Sequence, residues 1–199
     1  MVSNHDEGQL DFEDSNNRSY QGEDYTDASL SGREYNGCTF RGCNFSQTDL
    51  SASAFDGCRF IECNLSNPVI KNARFLDCAF DGCKLLGLNF CYCKQLSFDL
   101  IVKNSRLLNC NFSGLKMKKS AFTDSILEEC YFEDTFLVEV DFSRTAFRST
   151  LFHHCDLQKA DFTDADGYAV NPLNNKLQKA VFNLPGALSL LGYFNIILK

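Results

Sequence analysis

The sequence from residue 38 to residue 90 reads CTFRG CNFSQ TDLSA SAFDG CRFIE CNLSN PVIKN ARFLD CAFDG CKLLG LNF when it is divided into groups of five. The third residue of every group is Phe, Leu or Ile, and the first is small, or Pro at position 68, in every group but the last. A period of five fits neither an α-helix, with about 3.6 residues per turn, nor a strand, whose side chains alternate with a period of about 2. It predicts a chain that turns a corner every five residues, so that four sides close one coil of about twenty residues and successive coils stack about 4.8 Å apart.

The pattern resumes two residues out of phase and continues to residue 162. The large residues of this second run are Leu107, Phe112, Met117, Phe122, Leu127, Phe132, Leu137, Phe142, Phe147, Phe152, Leu157 and Phe162. Since alternate residues of an extended segment point to the same face, the large and the small residue of each group both point into the coil. The sequence therefore predicts an all-β solenoid with a stacked aromatic core.

This small-x-large-x-x pattern resembles that of the pentapeptide-repeat family, and the resemblance covers about residues 28–162. It implies the fold of that family, a right-handed quadrilateral β-helix. A second resemblance involves residues 168–185, YAVNPLNNKLQKAVFNLP, which are similar to the closing segment of the branch that contains Qnr, MfpA, AlbG and the microcin immunity protein McbG. It implies a DNA-mimic rod that binds bacterial type II topoisomerases, gyrase or topoisomerase IV, and protects them from quinolones or peptide toxins.

The repeat divides the chain of 199 residues into four segments. We expect an acidic disordered tail at 1–17, an irregular N-terminal coil or cap at 18–37, the β-helix at 38–166, and a helical C-terminal cap at 167–199. Within the β-helix the register breaks near 91–106, either as an accommodated insertion or as a functional feature, and we expect a bulged or looped side there. In the cap, Pro172 and Pro185 each predict the start of a short helix, because proline is favoured in the first helical turn.

Composition indicates a cytoplasmic protein without a membrane partner. Residues 1–17 contain no apolar core of a signal peptide, and no stretch approaches the roughly eighteen apolar residues of a membrane span. Ten of the eleven cysteines occupy the small inward position, and Cys91 is the exception. Packing explains this spacing, whereas a zinc site needs closely spaced ligand groups. Reduced thiols also fit an intracellular compartment.

Residues 153–155, His-His-Cys, are the strongest candidate for catalysis or metal binding in the sequence. We expect Cys155 to point into the coil and His153 to lie outside, with no serine or carboxylate partner implied by the spacing. The sequence therefore predicts no catalytic residue, no cofactor site, no metal site and no enzymatic activity.

The charges support a DNA mimic only in part. Residues 1–35 contain nine acids and two arginines, and the remaining residues contain seventeen of each sign. A basic belt comprises Lys103, Arg106, Lys116, Lys118 and Lys119. The acids predicted to bind a partner are Asp124, Glu128, Glu129, Glu133, Asp134, Glu139, Asp141 and Asp161, and all but the last form an acidic belt around roughly one coil. Spacings of twenty predict that Asp124 stacks on Arg144 and Glu139 on Lys159.

The C-terminal segment contains more apolar residues than are needed to cover one coil end. We expect it to form a homodimer, with a monomeric cap as the alternative. The residues predicted to form the dimer interface are Leu184, Leu188, Leu191, Phe194, Ile196 and Leu198.

Two functions follow from these observations. The first is a non-catalytic protein that binds a type II topoisomerase and no nucleic acid directly, although the chain lacks the long projecting loops on which some Qnr proteins depend. The second, favoured by the neutral charge of residues 36–199, is a general interaction scaffold with an unrelated partner.

Overall fold

The computed structural model describes residues 15–94, 98–184 and 186–197, which form a parallel β-solenoid of about eight turns with one short α-helix near the C-terminus. This confirms the predicted all-β quadrilateral β-helix. The strands are β1 (Ser15–Asn16), β2 (Ser19–Gln21), β3 (Glu34–Asn36), β4 (Thr39–Arg41), β5 (Ala54–Asp56), β6 (Arg59–Ile61), β7 (Asn64–Ser66), β8 (Arg74–Leu76), β9 (Cys78–Asp81), β10 (Lys84–Leu86), β11 (Leu100–Lys103), β12 (Arg106–Leu108), β13 (Ala121–Thr123), β14 (Ile126–Glu128), β15 (Tyr131–Glu133), β16 (Ala146–Arg148), β17 (Leu151–His153), β18 (Asp161–Phe162), β19 (Ala169–Val170) and β20 (Val181–Phe182). The helices are α1 (Leu188–Leu191) and two 3-10 turns, Phe90–Tyr92 and Gly192–Phe194.

The strands form four faces, and neighbours on each face are parallel. The first face carries β1, β3, β5 and β8, and the second carries β2, β4, β6, β9, β11 and β13, followed by β18 and β20. The third face carries β7, β10, β12, β14 and β16, and the fourth carries β15, β17 and β19. Except where the register changes, paired residues lie twenty positions apart in the sequence, as Phe40 and Phe60 do. Residues of the same type of position therefore lie directly above one another.

The core is a set of stacked aromatic columns. On the second face the ring of Phe60 lies 5.1 Å from that of Phe40 and 4.8 Å from that of Phe80, and both pairs are nearly parallel. Rings on adjacent faces meet edge to face, as Phe55 and Phe60 do at 5.5 Å. Both geometries are favourable for the aromatic quadrupole. The core therefore combines burial of apolar area with specific ring contacts.

The small inward residues connect each coil to the one before it. The Ser53 hydroxyl donates to the Leu30 carbonyl at 2.9 Å, and the Cys58 thiol donates to the Tyr35 carbonyl at 3.2 Å. Ten cysteines are buried in this position, as predicted, and Cys91 is half-buried. Burial raises the pKa of the Cys58 thiol to about 12, so this thiol stays protonated and can donate.

The corners depend on left-handed backbone. The residue two positions after each large residue has a positive φ almost throughout the array, as at Gly42 (φ 60°), Asn67 (φ 52°) and Glu129 (φ 51°). This conformation favours Gly and Asn and disfavours β-branched residues. The enrichment of Gly, Asn and Asp at these positions therefore marks the corners in the sequence, in addition to the spacing of large and small residues.

The register break is an insertion of two residues. Before it, strands pair at an offset of twenty, whereas Phe80 pairs with Val102 and Leu85 with Leu107, each at an offset of twenty-two. Leu100 occupies the inward position that pairs with Cys78 and is normally held by a small residue. Val102 occupies the inward position that pairs with Phe80 and is normally held by a larger residue. The extra volume of Leu100 is therefore offset by the smaller volume of Val102. Gln95, which the pattern places at a large position, lies outside the described residues.

The first coil begins earlier than predicted. Ser15 and Asn16, assigned from the sequence to the disordered tail, form β1 and pair with Tyr35 and Asn36. The ring of Tyr20 stacks on Phe40 at 4.8 Å. The predicted tail boundary at residue 17 is therefore wrong for these residues. Their backbone pairs with the next coil although their side chains do not follow the pattern of small and large residues. Residues 1–14 lie outside the described residues.

The solenoid also continues further than predicted. Leu151 pairs with Ala169 at an offset of eighteen, and Asp161 pairs with Val181 at an offset of twenty. Asn175 takes a small inward position, where its side chain accepts from the Cys155 backbone NH at 2.8 Å and donates to the Phe152 carbonyl at 3.0 Å. These bonds hold residues 171–180 in a further coil.

The predicted helical cap at 167–199 is therefore wrong in most of its length. The helix expected from Pro172 is absent, since residues 171–180 are turns of the last coil. The helix expected after Pro185 is present as the single turn α1, and Pro185 itself lies outside the described residues. The strict repeat is lost because one side is shorter by two residues, which places Ala169 at an offset of eighteen, and the next part of the coil is longer by two, which returns Lys176 to an offset of twenty. In the sequence this irregular coil resembles the end of the array.

Phe60 offers a test of the stacked core. We expect Phe60→Ala to destabilise the protein by about 3–5 kcal/mol, because the cavity removes contacts with both neighbouring rings. The measurement is urea denaturation followed by circular dichroism. Arg59→Ala, at the exposed neighbouring position, is the matched control and should change stability by less than about 0.5 kcal/mol. Equal effects of the two substitutions would contradict a core built from ring stacking.

Candidate interaction surfaces

The acidic belt surrounds the rod and does not lie along one face. Glu128 ends β14 on the third face, and Glu133 ends β15 on the fourth. Glu139 lies at the corner between the first and second faces, and Asp141 lies on the second. A flat partner could therefore contact only part of the belt at once.

Three belt acids are neutralised by ion pairs between coils. The Arg144 guanidinium binds Asp124 at 2.6 Å, the Lys159 ammonium binds Glu139 at 2.9 Å, and Arg106 binds Glu128 at 2.7 Å. The first two pairs confirm the predicted stacking of acids on bases twenty residues away. The hydrogen bond from Arg144 holds the pKa of Asp124 below its ordinary value, and Lys159 does the same for the pKa of Glu139.

Two further predicted acids serve the local backbone. Asp141 accepts from the backbone NH of Ser143 at 2.8 Å, and Asp161 accepts from that of Thr163 at 2.8 Å. Each bond closes an Asx turn, which stabilises the corner that follows it. These carboxylates are therefore partly committed to the fold.

Glu133 and Asp134 face the two exposed histidines of the next coil. His153 Nδ1 lies 3.5 Å from Glu133, and His154 Nδ1 lies 3.7 Å from Asp134. Cys155 points inward, where its thiol donates to the Phe132 carbonyl at 3.0 Å, and burial raises the pKa of this thiol to about 11. The thiol is therefore directed away from the histidines. Within the described ranges, no three His, Cys, Asp or Glu residues are arranged to hold a metal ion.

The basic belt borders a groove at the register break. The groove has a volume of about 560 Å³ and is lined by Asp77, Asp99, Leu100, Ile101, Lys116, Lys118, Lys119 and Phe136. Ile101 protrudes between Ala79 and Ala121 in its column and is 55 % exposed. In the part of the chain that the structure describes, none of the three lysines is ion-paired. The insertion therefore places apolar and basic groups side by side.

The C-terminal turn presents an apolar surface, as predicted. The exposed fractions of its large side chains are 76 % for Leu184, 48 % for Leu188, 49 % for Phe194, 52 % for Ile196 and 87 % for Ile197. Leu191 is half-buried, and Leu198 lies outside the described residues. Ile197, which is not among the predicted interface residues, is the most exposed member. No helix in the described ranges is long and apolar enough to cross a membrane.

Comparison with known proteins supports the fold. Residues 26–67 match the family model for pentapeptide repeats (eight copies), and residues 84–171 match the model for the SV2A/B/C luminal domain. Two structures of trypsin-treated QnrB1 variants, described as a plasmid-mediated fluoroquinolone resistance protein, are similar, with TM-scores of 0.53 and 0.52. The identities are 20 % and 19 %, and the alignments cover 94 % of this chain and 92 % and 100 % of those chains. No curated protein matches the sequence.

The Asp124–Arg144 pair gives a pH-dependent prediction. Because the pKa of Asp124 is lowered in the folded state, the pair stabilises the protein fully above the unfolded-state pKa. This contribution is lost as the pH falls through the folded-state pKa. We expect Arg144→Gln to return the pKa of Asp124 toward its ordinary value, measured by NMR titration of the carboxyl carbon. Lys159→Gln is the matched control, which should shift Glu139 and leave Asp124 unchanged; a shift of both acids in either variant would contradict independent pairs.

Proposed function

We propose that this chain, a pentapeptide-repeat β-solenoid, is a non-catalytic binding protein whose partner is a type II topoisomerase, gyrase or topoisomerase IV. In this function it occupies the DNA-binding surface of the enzyme and shields it from quinolones or peptide toxins. QnrB1, whose fold is similar over most of both chains, is a fluoroquinolone resistance protein.

The uniform rod is the observation that carries this proposal. The stacked rings repeat at 4.8 to 5.1 Å along one column. About eight turns therefore give a length of roughly 40 Å, which equals about twelve base pairs at about 3.4 Å each. The described strands run across the rod axis, so each stacked coil adds about 4.8 Å to the length. The solenoid thus has the extended, unbranched shape that a surface built for duplex DNA can accept.

The exposed acids would supply the charge complementarity. Glu129, Glu133, Asp134 and Asp141 are the belt acids that neither a lysine nor an arginine neutralises within 4 Å in the described ranges. Asp141 closes an Asx turn, so the other three, which occupy adjacent sides of one coil, are the most available to a partner. Exposed acidic groups of this kind accelerate association with a basic partner and orient it. Glu23, Asp27 and Glu34 are also exposed, but they lie on the first coil, away from the belt, and are not part of the proposed contact.

A general interaction scaffold remains the second candidate, because three belt acids are neutralised within the fold. The negative electrostatic potential that attracts a basic partner is weaker at an ion-paired surface than along a stripe of unpaired carboxylates. In that function the same rod would contact an unrelated protein through its extended faces.

The C-terminal turn is the surface through which we propose that the protein forms a homodimer, in a cytoplasmic location. The exposed leucine, isoleucine and phenylalanine side chains of this turn are the kind of apolar surface that associates in water. The cysteines of the described residues are all free thiols, as is usual for a reducing compartment.

A supercoiling assay tests the topoisomerase partner. We expect the protein to inhibit gyrase supercoiling, or to protect the activity from a fluoroquinolone, at low micromolar concentration. The variant Glu129→Lys/Glu133→Lys/Asp134→Lys should need about tenfold more protein for the same effect, equal to about 1.4 kcal/mol of binding free energy.

The control is Glu23→Lys/Asp27→Lys/Glu34→Lys, which changes the net charge equally at the other end of the rod. A smaller effect of this control would locate the contact on the acidic belt. If the unmodified protein at high excess changes neither supercoiling nor drug sensitivity, the topoisomerase proposal fails and the scaffold is favoured.

Light scattering coupled to size-exclusion chromatography tests the dimer. We expect a mass of twice the chain mass of 22.5 kDa, and we expect Leu188→Glu/Phe194→Glu to reduce it to one chain, because buried unpaired carboxylates are costly. Val69→Glu, at an apolar residue on the fourth face that is 51 % exposed, is the matched control and should remain dimeric. A monomer for the unmodified protein would rule out the interface.

A further inference from the structure

A pocket lies between the last coils and the C-terminal turn. Its volume is about 460 Å³, and its lining includes Asp164, Asp166, Tyr168, Asn183 and Ser189. The first three come from the segment where the coil loses two residues, and the last two come from the turn that folds back over it. None of these residues belongs to the acidic belt or to the apolar surface.

Among the described residues, two polar atoms of this pocket have no hydrogen-bond partner. They are the hydroxyl of Tyr168, a residue that is only 5 % exposed, and the Oδ1 atom of Asn183; both atoms are buried. An unpaired buried polar atom destabilises the folded state, so folded proteins nearly always satisfy such atoms. Two of them in one pocket indicate that a ligand with hydrogen-bonding groups completes the site.

The position of Tyr168 is fixed by the deletion in the coil. Asp166 still pairs with Ala146 at an offset of twenty, whereas Ala169 pairs with Leu151 at eighteen. Between them Gly167 (φ 69°) lies against the Phe147 carbonyl, where a Cβ would approach to 2.3 Å. The chain therefore turns inward without a side chain at this corner and carries Tyr168 into the core.

The aromatic ring of Tyr168 packs against other rings, whereas its hydroxyl lacks a hydrogen-bond partner among the described residues. Its ring lies 5.3 Å from that of Phe162 and 5.5 Å from that of Phe182. Its hydroxyl lies against Gly186, where a Cβ would stand 2.3 Å away. Glycine at 186 thus leaves room for the hydroxyl at the pocket wall.

The groups of this pocket are mostly hydrogen-bond acceptors. Asp164 and Asp166 supply carboxylates, and Asn183 supplies an amide oxygen. Burial, and then the charge of Asp166, raise the pKa of Tyr168, so the phenol is neutral and can accept as well as donate. The complementary ligand carries positive charge and several N–H donors, as a guanidinium or a primary ammonium does.

A bare metal ion fits these groups less well. Only two lining residues are of the types that usually bind metals, and no group of three such residues is arranged for a metal within the described ranges. The volume of about 460 Å³ exceeds that of a single ion and lies within the range of about 300–1,000 Å³ typical of small-ligand sites.

We propose that this pocket binds a guanidinium or primary ammonium group between the carboxylates of Asp164 and Asp166 and the unpaired atoms of Tyr168 and Asn183. The group belongs either to a free organic cation or to an arginine or lysine side chain of a bound protein. This site is independent of the topoisomerase proposal, since it lies on a different surface and is tested by a different assay.

Isothermal titration of the full-length protein tests this site. The probes are agmatine as a free cation, N-acetyl-arginine N-methylamide as a peptide-like arginine, n-butylurea as a neutral analogue of the guanidinium, and Ca²⁺ as a metal. We expect both guanidinium probes to bind and butylurea and Ca²⁺ not to bind. Tighter binding of the arginine derivative than of agmatine would indicate a protein side chain as the source, and the reverse order would indicate a free cation.

Three variants separate binding from folding. Asp166→Asn should weaken the binding of agmatine about tenfold or more, the loss expected for one hydrogen bond to a charged group. Tyr168→Phe should weaken binding too, yet it should raise the melting temperature of the ligand-free protein, because it removes an unsatisfied hydroxyl. Glu62→Gln, at an exposed acid outside the pocket and outside the acidic belt, is the charge-matched control and should bind as the unmodified protein does.

Any of three results would overturn the assignment of a cation site. The first is no binding of either guanidinium probe to the unmodified protein. The second is binding that Asp166→Asn and Tyr168→Phe leave unchanged, and the third is equal binding of butylurea. A lower melting temperature for ligand-free Tyr168→Phe would also count against it, since it would show that the hydroxyl is already satisfied, for example by water.

Discussion

The parallel backbone ladder between successive coils is the interaction on which the rest of the structure depends. Each residue of one coil pairs with the equivalent residue of the next, and the coil length is twenty residues throughout the regular part of the array. With this length constant, large residues stack on large ones, and rings repeat at about 5 Å, the spacing of parallel strands. The aromatic core and the hydrogen-bonding small residues are therefore two consequences of one register.

Departures from that length produce the irregular features of the surface. The insertion of two residues places Leu100 at an inward position normally held by a small residue and leaves Ile101 exposed beside three lysines. The deletion near Gly167 carries Tyr168 inward and leaves its hydroxyl unpaired. Both changes amount to two residues, which preserves the alternation of inward and outward side chains. A change of one residue would turn every following side chain to the opposite face.

The same register explains why charge does not accumulate along one face. Corner residues point outward, and those twenty positions apart stack directly, so like charges in a column would repel through every coil. Opposite charges alternate in part of the array, as in Lys119, Glu139 and Lys159 on one corner, whereas Asp141 and Asp161 stack as like charges, each accepting a local backbone hydrogen bond. The acids that are available to a partner are those that stack on a histidine or on no basic residue in the neighbouring coils. They are distributed over adjacent sides of the rod. Any mimicry of DNA by this rod would rest on a local patch and on its shape.

The sequence by itself determined the solenoid, its inward residues and two of the ion pairs between coils, Asp124–Arg144 and Glu139–Lys159. A period of five is a local pattern, and once the coil length is known the neighbours of Asp124 or Cys58 follow by counting. Only the tertiary structure decided where the array ends, because Ser15 and Asn175 are held by hydrogen bonds that leave no mark on the apolar pattern. It alone also formed the pocket at Tyr168, since that pocket requires the two-residue deletion and the returning C-terminal turn to meet. Such a contact joins residues that no fixed spacing relates, which is why counting along the chain could not predict it.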